Sequence, residues 1–176
     1  MRTSHAIASL AAAAVLSAAL PTAQNLTSFF LVTTTSRYAA GNTSALPSVN
    51  ATSLFDADSS SSDLYQLRLI APGYGSLPQF TIKDNALHTI AYGPHGNGEY
   101  DYESTEVEDG QELAFDPTPE ERSNLSLEDG YLLAVNGQCT GWTVCLGAHD
   151  QQVISWKGNG TSCEARFIQA VKNAPY

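Results

Sequence analysis

Apolar residues in this chain fall into short runs, many alternating with polar ones and most separated by turn residues. Residues 26–35, LTSFFLVTTT, are apolar at both parities and rich in β-branched and aromatic side chains. That pattern predicts a strand covered on both faces. Residues 36–63 are polar and rich in Ser, Asn and Thr, a long surface excursion pinned to the core by Leu54 and Phe55. Residues 64–71 return to strand character, and Pro72-Gly73-Tyr74-Gly75 is a turn signal. Residues 80–83 and 86–92 flank Asp84-Asn85 and read as a hairpin, with a loop at 93–98. A short strand follows at 112–115, and Pro119-Glu120-Glu121 after Thr118 resembles a helix start, which allows one helical turn within 117–129.

The C-terminal part has the sharpest signals. Residues 131–135 and 138–146 flank Asn136-Gly137, the strongest short-range hairpin dipeptide. A strand at 153–156 precedes the turn Gly158-Asn159-Gly160 and a final strand at 163–171. About nine strands at short spacing, with no amphipathic helical stretch, predict an all-β antiparallel sandwich or barrel. No repeat of fixed period is visible, which argues against a propeller or a regular trefoil.

The first residues do not belong to this pattern. Arg2 and His5 precede an apolar run at 6–20, the layout of a secretory signal peptide. The run is shorter than the roughly 20 residues a membrane helix needs. Ser17 and Ala19 place the expected cleavage after Ala19, with Ala23 as the second option. This divides the chain into a signal peptide at 1–19 and one β-rich domain at 20–176. The C-terminal residues lack the hydrophobic tail of a GPI signal.

Composition adds to the picture of export. Asn-x-Ser/Thr sequons occur at Asn25, Asn42, Asn50, Asn124 and Asn159, all in polar or turn-like sequence. There are 3 cysteines, Cys139, Cys145 and Cys163. In an oxidising compartment two should pair and one is left over. The net charge is −10, which argues against nucleic acid and anionic membrane surfaces as partners. The charge is concentrated: the segment 99–129 holds twelve acids against one base, Arg122.

Within this outline, Phe29-Phe30-Leu31-Val32-Thr33, Gly130-Tyr131-Leu132-Leu133-Ala134, Gly141-Trp142-Thr143-Val144-Cys145 and the downstream Cys163 resemble small secreted β-rich proteins of ascomycete fungi. These are grouped loosely as cell-wall (phialide-type) or IgE-binding proteins. The Gly-Trp-x-Val-Cys stretch is the most specific part. The resemblance implies a secreted or wall-associated product without established catalysis. It also implies a Cys145–Cys163 disulfide, with Cys139 as an extra cysteine in this chain.

Candidate chemistry is sparse. His88, His95 and His149 remain once the leader is set aside, and no Gly-x-Ser-x-Gly elbow accompanies them. Ser76, the nearest imitation, sits in a turn. His88 and His95 lie seven apart around Pro94, which is no zinc spacing. Residues 99–112 alternate acids with Tyr, Thr and Val but lack a calcium-loop spacing. A carboxylate pair for a glycosidase is easily found by chance among so many acids, and a solvated acidic surface is the simpler reading. Trp142, Val144 and Leu146 share one parity and look like a core face, whereas Trp156 sits beside a turn. Tyr74, Tyr92, Tyr100, Tyr102, Trp142 and Trp156 could together form a sugar-stacking platform, with Trp156, Tyr100 and Tyr102 put forward as ligand-binding candidates, while core packing is the simpler reading of both tryptophans. The expectation is a secreted, N-glycosylated cell-wall or extracellular protein with no catalytic activity, no cofactor and no metal. The alternatives are a carbohydrate-binding module for wall polysaccharide and a small acidic glycoside hydrolase.

Overall fold

The computed structural model describes residues 26–53, 65–70, 77–92, 98–118, 123–147 and 150–176. Thirteen strands are present: β1 (Phe30–Thr34), β2 (Ser48–Ser53), β3 (Tyr65–Ile70), β4 (Phe80–Lys83), β5 (Ala86–Tyr92), β6 (Glu99–Ser104), β7 (Ala114–Asp116), β8 (Leu125–Glu128), β9 (Leu132–Val135), β10 (Trp142–Leu146), β11 (Gln152–Trp156), β12 (Glu164–Ala165) and β13 (Phe167–Val171). Every ladder between them is antiparallel. The all-β antiparallel class is therefore what the alternating pattern predicts. The strand number exceeds the expected nine because the polar segments β2 and β6, together with β8, are strands as well, and the last strand divides into β12 and β13.

The strands run in the order β4-β5-β6-β7-β3-β2-β1-β13-β9-β8, and β10, β11 and β12 form a branch. The branch opens at β3. Tyr65 and Gln66 pair with β7, while Arg68 pairs with Val153 of β11. One strand thus belongs to both layers of the sandwich. The layers close over a single main cluster that includes Phe29, Leu31, Leu67, Phe80, Tyr102, Phe115, Trp142 and Ile154. A smaller cluster gathers Leu132, Ala134 and Cys139, with Tyr131 and Phe167 against it.

β1 meets its expectation. Leu31, Val32, Thr33 and Thr34 are all buried, because β1 pairs with β13 over five residues on one edge and touches β2 on the other. The Asp84-Asn85 hairpin is also present. Both residues have positive φ, 51° and 64°, as the tight two-residue turn requires.

Five expectations change. Residues 48–53 belong to no surface excursion but to β2, which pairs with all six residues of β3. Its polar composition conceals an alternation that buries Val49 and Ala51. Leu54 and Phe55 lie outside the described residues. Residues 99–104 are strand β6, and 125–128, in the segment that allows one helical turn, are strand β8, while the helix-start residues 119–121 lie outside the described residues. Asn136-Gly137 does form a tight turn, with Val135 and Gln138 bridged across it. Yet β9 and β10 do not pair: β9 pairs with β8 and β13, and β10 with β11 and β12. What joins them is a side chain. The indole Nε1–H of Trp142 donates to the Leu133 carbonyl at 2.8 Å. Finally, the last strand is two. It breaks at Arg166, so that β12 serves β10 and β13 serves β1 and β9.

Cys145 and Cys163 form a disulfide, and Cys139 is a free, buried thiol in the smaller cluster. The disulfide ties β10 to the turn before β12. It lies at a half-exposed border of the fold, not on an inner face, since Cys145 and Cys163 are both only partly buried and Ala165 is exposed. Gly158 fits against it because a Cβ there would stand 2.5 Å from Cys145 Sγ and 2.7 Å from Thr143 Oγ1.

Candidate binding face

The most distinctive surface lies on β4, β5 and β6. The strand pleat sends alternate residues to opposite sides. On β5, Leu87 and Thr89 point inward and are buried, while Ile90 and Tyr92 point outward and are 67% and 68% exposed. On β6, Tyr102 and Ser104 are buried, and Glu99, Asp101 and Glu103 take the outer positions. Register pairs Tyr92 with Glu99, Ile90 with Asp101 and His88 with Glu103. The acid–tyrosine alternation of the sequence is thus a strand signature, with the acids on one face. On the other side of β5, Thr81 stands opposite His88 and Lys83 opposite Ala86.

The inner side anchors this sheet through polar bonds. Ser104 Oγ accepts from the Leu87 amide at 2.9 Å and shares a hydrogen bond with Ser123 Oγ at 2.9 Å. Thr89 Oγ1 donates to the Gln79 carbonyl at 3.0 Å. The outer side holds an open groove of about 400 Å³ lined by Ser28, Gln79, Thr81, Lys83, His88, Thr89, Ile90 and Asp101. Hydroxyl, amide, ammonium, imidazole and carboxylate groups converge there around one aliphatic side chain.

His88 Nδ1 lies 3.5 Å from Asp101 Oδ1. Its Nε2 is shut off from solvent and has no hydrogen-bond partner among the described residues. Ser28, one of the hydroxyls in the same groove, donates to Gln79 Oε1 at 2.9 Å. The Glu99 carboxylate, by hydrogen bond and then by charge, raises the Tyr92 phenol above its ordinary range. Tyr92 therefore stays a neutral donor with an exposed ring.

The candidate stacking residues fare differently. Tyr100 is 42% exposed and meets Tyr102 edge-on at 6.4 Å. Tyr102 is buried on the inner side of β6. Trp156 is buried too, in line with the packing reading of both tryptophans and against its role as a stacking ring. It is the register partner of Trp142, the rings meet edge-on at 5.0 Å, and a Cβ on Gly141 would stand 2.5 Å from the Trp156 ring. Proximity to a turn says nothing of which face a side chain takes, and here the face is inward. Neither Tyr102 nor Trp156 offers a ring to a ligand. Tyr92 is among the aromatics the sequence offers for stacking, Tyr74 lies outside the described residues, and Ile90 and Lys83 are not singled out by the sequence as binding residues. Their signal is the outward parity of β5 opposite the acids of β6.

The remaining acids are scattered. Asp109 pairs with Lys157 at 2.9 Å, and Gln111 Nε2 donates to Glu108 Oε2 at 2.9 Å. Burial pushes the Glu112 carboxyl up, opposed by the Arg68 guanidinium. Among the described residues no group of three or more His, Cys, Asp or Glu side chains is placed to hold a metal ion. Ser76, His95 and His149 lie outside the described residues, as does Asn25. Asn42 and Asn159 are exposed, and Asn50 is half-buried within β2. Asn124 is engaged on both side-chain atoms: Oδ1 accepts from the Val107 amide at 3.0 Å, and Nδ2 donates to the Val107 carbonyl at 3.1 Å.

Comparison of the chain with protein-family models, with curated proteins and with solved structures finds no match.

Proposed function

We propose that this is a secreted, N-glycosylated protein of the cell wall or extracellular space, without catalysis of its own, that binds polysaccharide on the outer face of β4–β6. The observation that carries this reading is the groove on that face, with Ile90 and Tyr92 about two-thirds exposed at and beside it. A sugar ring presents C–H surfaces flanked by hydroxyls. Apolar and aromatic side chains cover the first, and a few placed polar groups fix the second. Ser28, Gln79, Thr81 and Asp101 supply such groups. The leader-like residues 1–19 and the exposed sequons at Asn42 and Asn159 support export.

The test is sedimentation of the secreted chain with insoluble polysaccharides of several backbones, alongside Ile90→Ser and Tyr92→Ala. Retention on at least one polymer, lost in both variants while their unfolding midpoints stay unchanged, is the expected result. Failure to bind any polymer refutes the binding function. Recovery of the chain inside the cell with its leader intact refutes export.

A further inference from the structure

The face just described is acidic as well as grooved. Glu99, Asp101 and Glu103 occupy successive outward positions of β6, about 7 Å apart along the strand. Glu103 stands directly opposite Asp116 of β7. Like charges placed opposite one another across a ladder are unfavourable, and other charge arrangements would avoid that juxtaposition. Among the described residues none of these four carboxylates forms an ion pair with Lys or Arg; Asp101 meets only His88. Among the described residues Lys83 is the one lysine lining the groove. The result is a sheet face with an apolar and aromatic strip, Ile90 and Tyr92, running beside a row of negative charge.

We infer that the occupant of this face is a cationic polysaccharide: a polymer of amino sugars whose 2-amino groups are free and protonated. The inference rests on the proposed polysaccharide function and names its substrate class. Ring faces lie on Ile90 and Tyr92, hydroxyls meet Ser28, Gln79 and Thr81, and the ammonium groups face Glu99, Asp101, Glu103 and Asp116. Charge complementarity of this kind sets specificity and rate of encounter more than raw affinity. The acids do not need to be buried for it, but salt weakens them.

The experiment compares one backbone in two charge states: a β-linked glucosamine polymer and its fully N-acetylated counterpart. Binding of the secreted chain is measured on both across a salt series at a pH where the amines are protonated. Binding to the free-amine form should be roughly tenfold tighter at low salt and converge on the acetylated form as salt rises. The triple variant Glu99→Gln, Asp101→Asn, Glu103→Gln should abolish the difference. A control triple with the same change in net charge, Asp129→Asn, Asp150→Asn, Glu164→Gln, alters exposed acids away from this face and should leave it intact. Equal loss in both triples would mean that net charge alone attracts the polymer, and would overturn the inference. Equal binding to the two polymers, dependent on Tyr92, would also overturn it while leaving the polysaccharide function standing. Displacement by polylysine as effective as by soluble glucosamine polymer of matched charge would make the ligand a basic protein and refute the sugar. Binding to no polymer would remove both readings together.

Discussion

Trp142 is the side chain whose removal should be felt most. It is 1% exposed, packs edge-on against Trp156 at 5.0 Å and donates to the Leu133 carbonyl at 2.8 Å. That hydrogen bond spans β9 and β10, which share no ladder. Truncating a buried Trp to Ala costs about 3–5 kcal/mol, transfer and cavity together. The hydrogen bond contributes roughly 1 kcal/mol of this, and the edge contact about 0.5–1.5 kcal/mol. Trp142→Phe keeps an aromatic ring but has no N–H, so it should cost at least about 1 kcal/mol and clearly less than Ala. Against a domain stability of roughly 5–15 kcal/mol, the Ala variant should be marginal and poorly secreted. Urea unfolding followed by circular dichroism measures this, provided the dependence on denaturant stays the same across the series. If Trp142→Ala shifted stability by less than about 1 kcal/mol, the ring could not be a core element. If Phe and Ala were equally damaging, packing of the ring would not be what holds the two layers.

Three further outcomes follow from the geometry. Replacing Cys145 and Cys163 together by Ser opens a link across 18 positions and should cost about 3 kcal/mol in the chain-entropy account; an unchanged melting temperature would show that the bond constrains nothing. Asn124 should remain unglycosylated while Asn42 and Asn159 are modified, because a glycan on Nδ2 takes the position from which that amide donates to Val107; peptide mapping by mass spectrometry that found glycan on Asn124 would refute it. Glu112 should make the protein less stable as pH rises through its raised folded-state pKa, since burial favours the protonated form and the fold then binds more protons than the unfolded chain. The contribution is fully present below the ordinary glutamate pKa and lost above the raised one, and Glu112→Gln should flatten that part of the pH profile. Melting temperatures from pH 4 to 8 in both proteins decide the matter, and a stability that rises with pH only in the presence of Glu112 would contradict it.

The sequence by itself determined the class of fold, because the alternation of apolar and polar residues and the turn dipeptides are local facts. Asp84-Asn85 and Asn136-Gly137 turn where their composition says they should. β1 is buried on both faces because its residues are apolar at both parities. The likeness of Gly141–Cys145 and Cys163 to secreted proteins pointed to the disulfide. Polar strands were harder to read. β2 and β6 pass for surface sequence because Ser, Asn, Asp and Glu dominate them, and only their partners, β3 and β5, give their alternation meaning. The candidate site was legible as an acidic, tyrosine-rich segment but not as a face. Which side of a strand meets solvent depends on register, and a shift by one residue exchanges every side chain. That choice buries Tyr102 and Trp156 and exposes Ile90 and Tyr92. Strand pairing is equally non-local: β9 and β10 flank one tight turn yet join different partners. The groove and its row of charge exist only once β4, β5, β6 and β7 lie side by side.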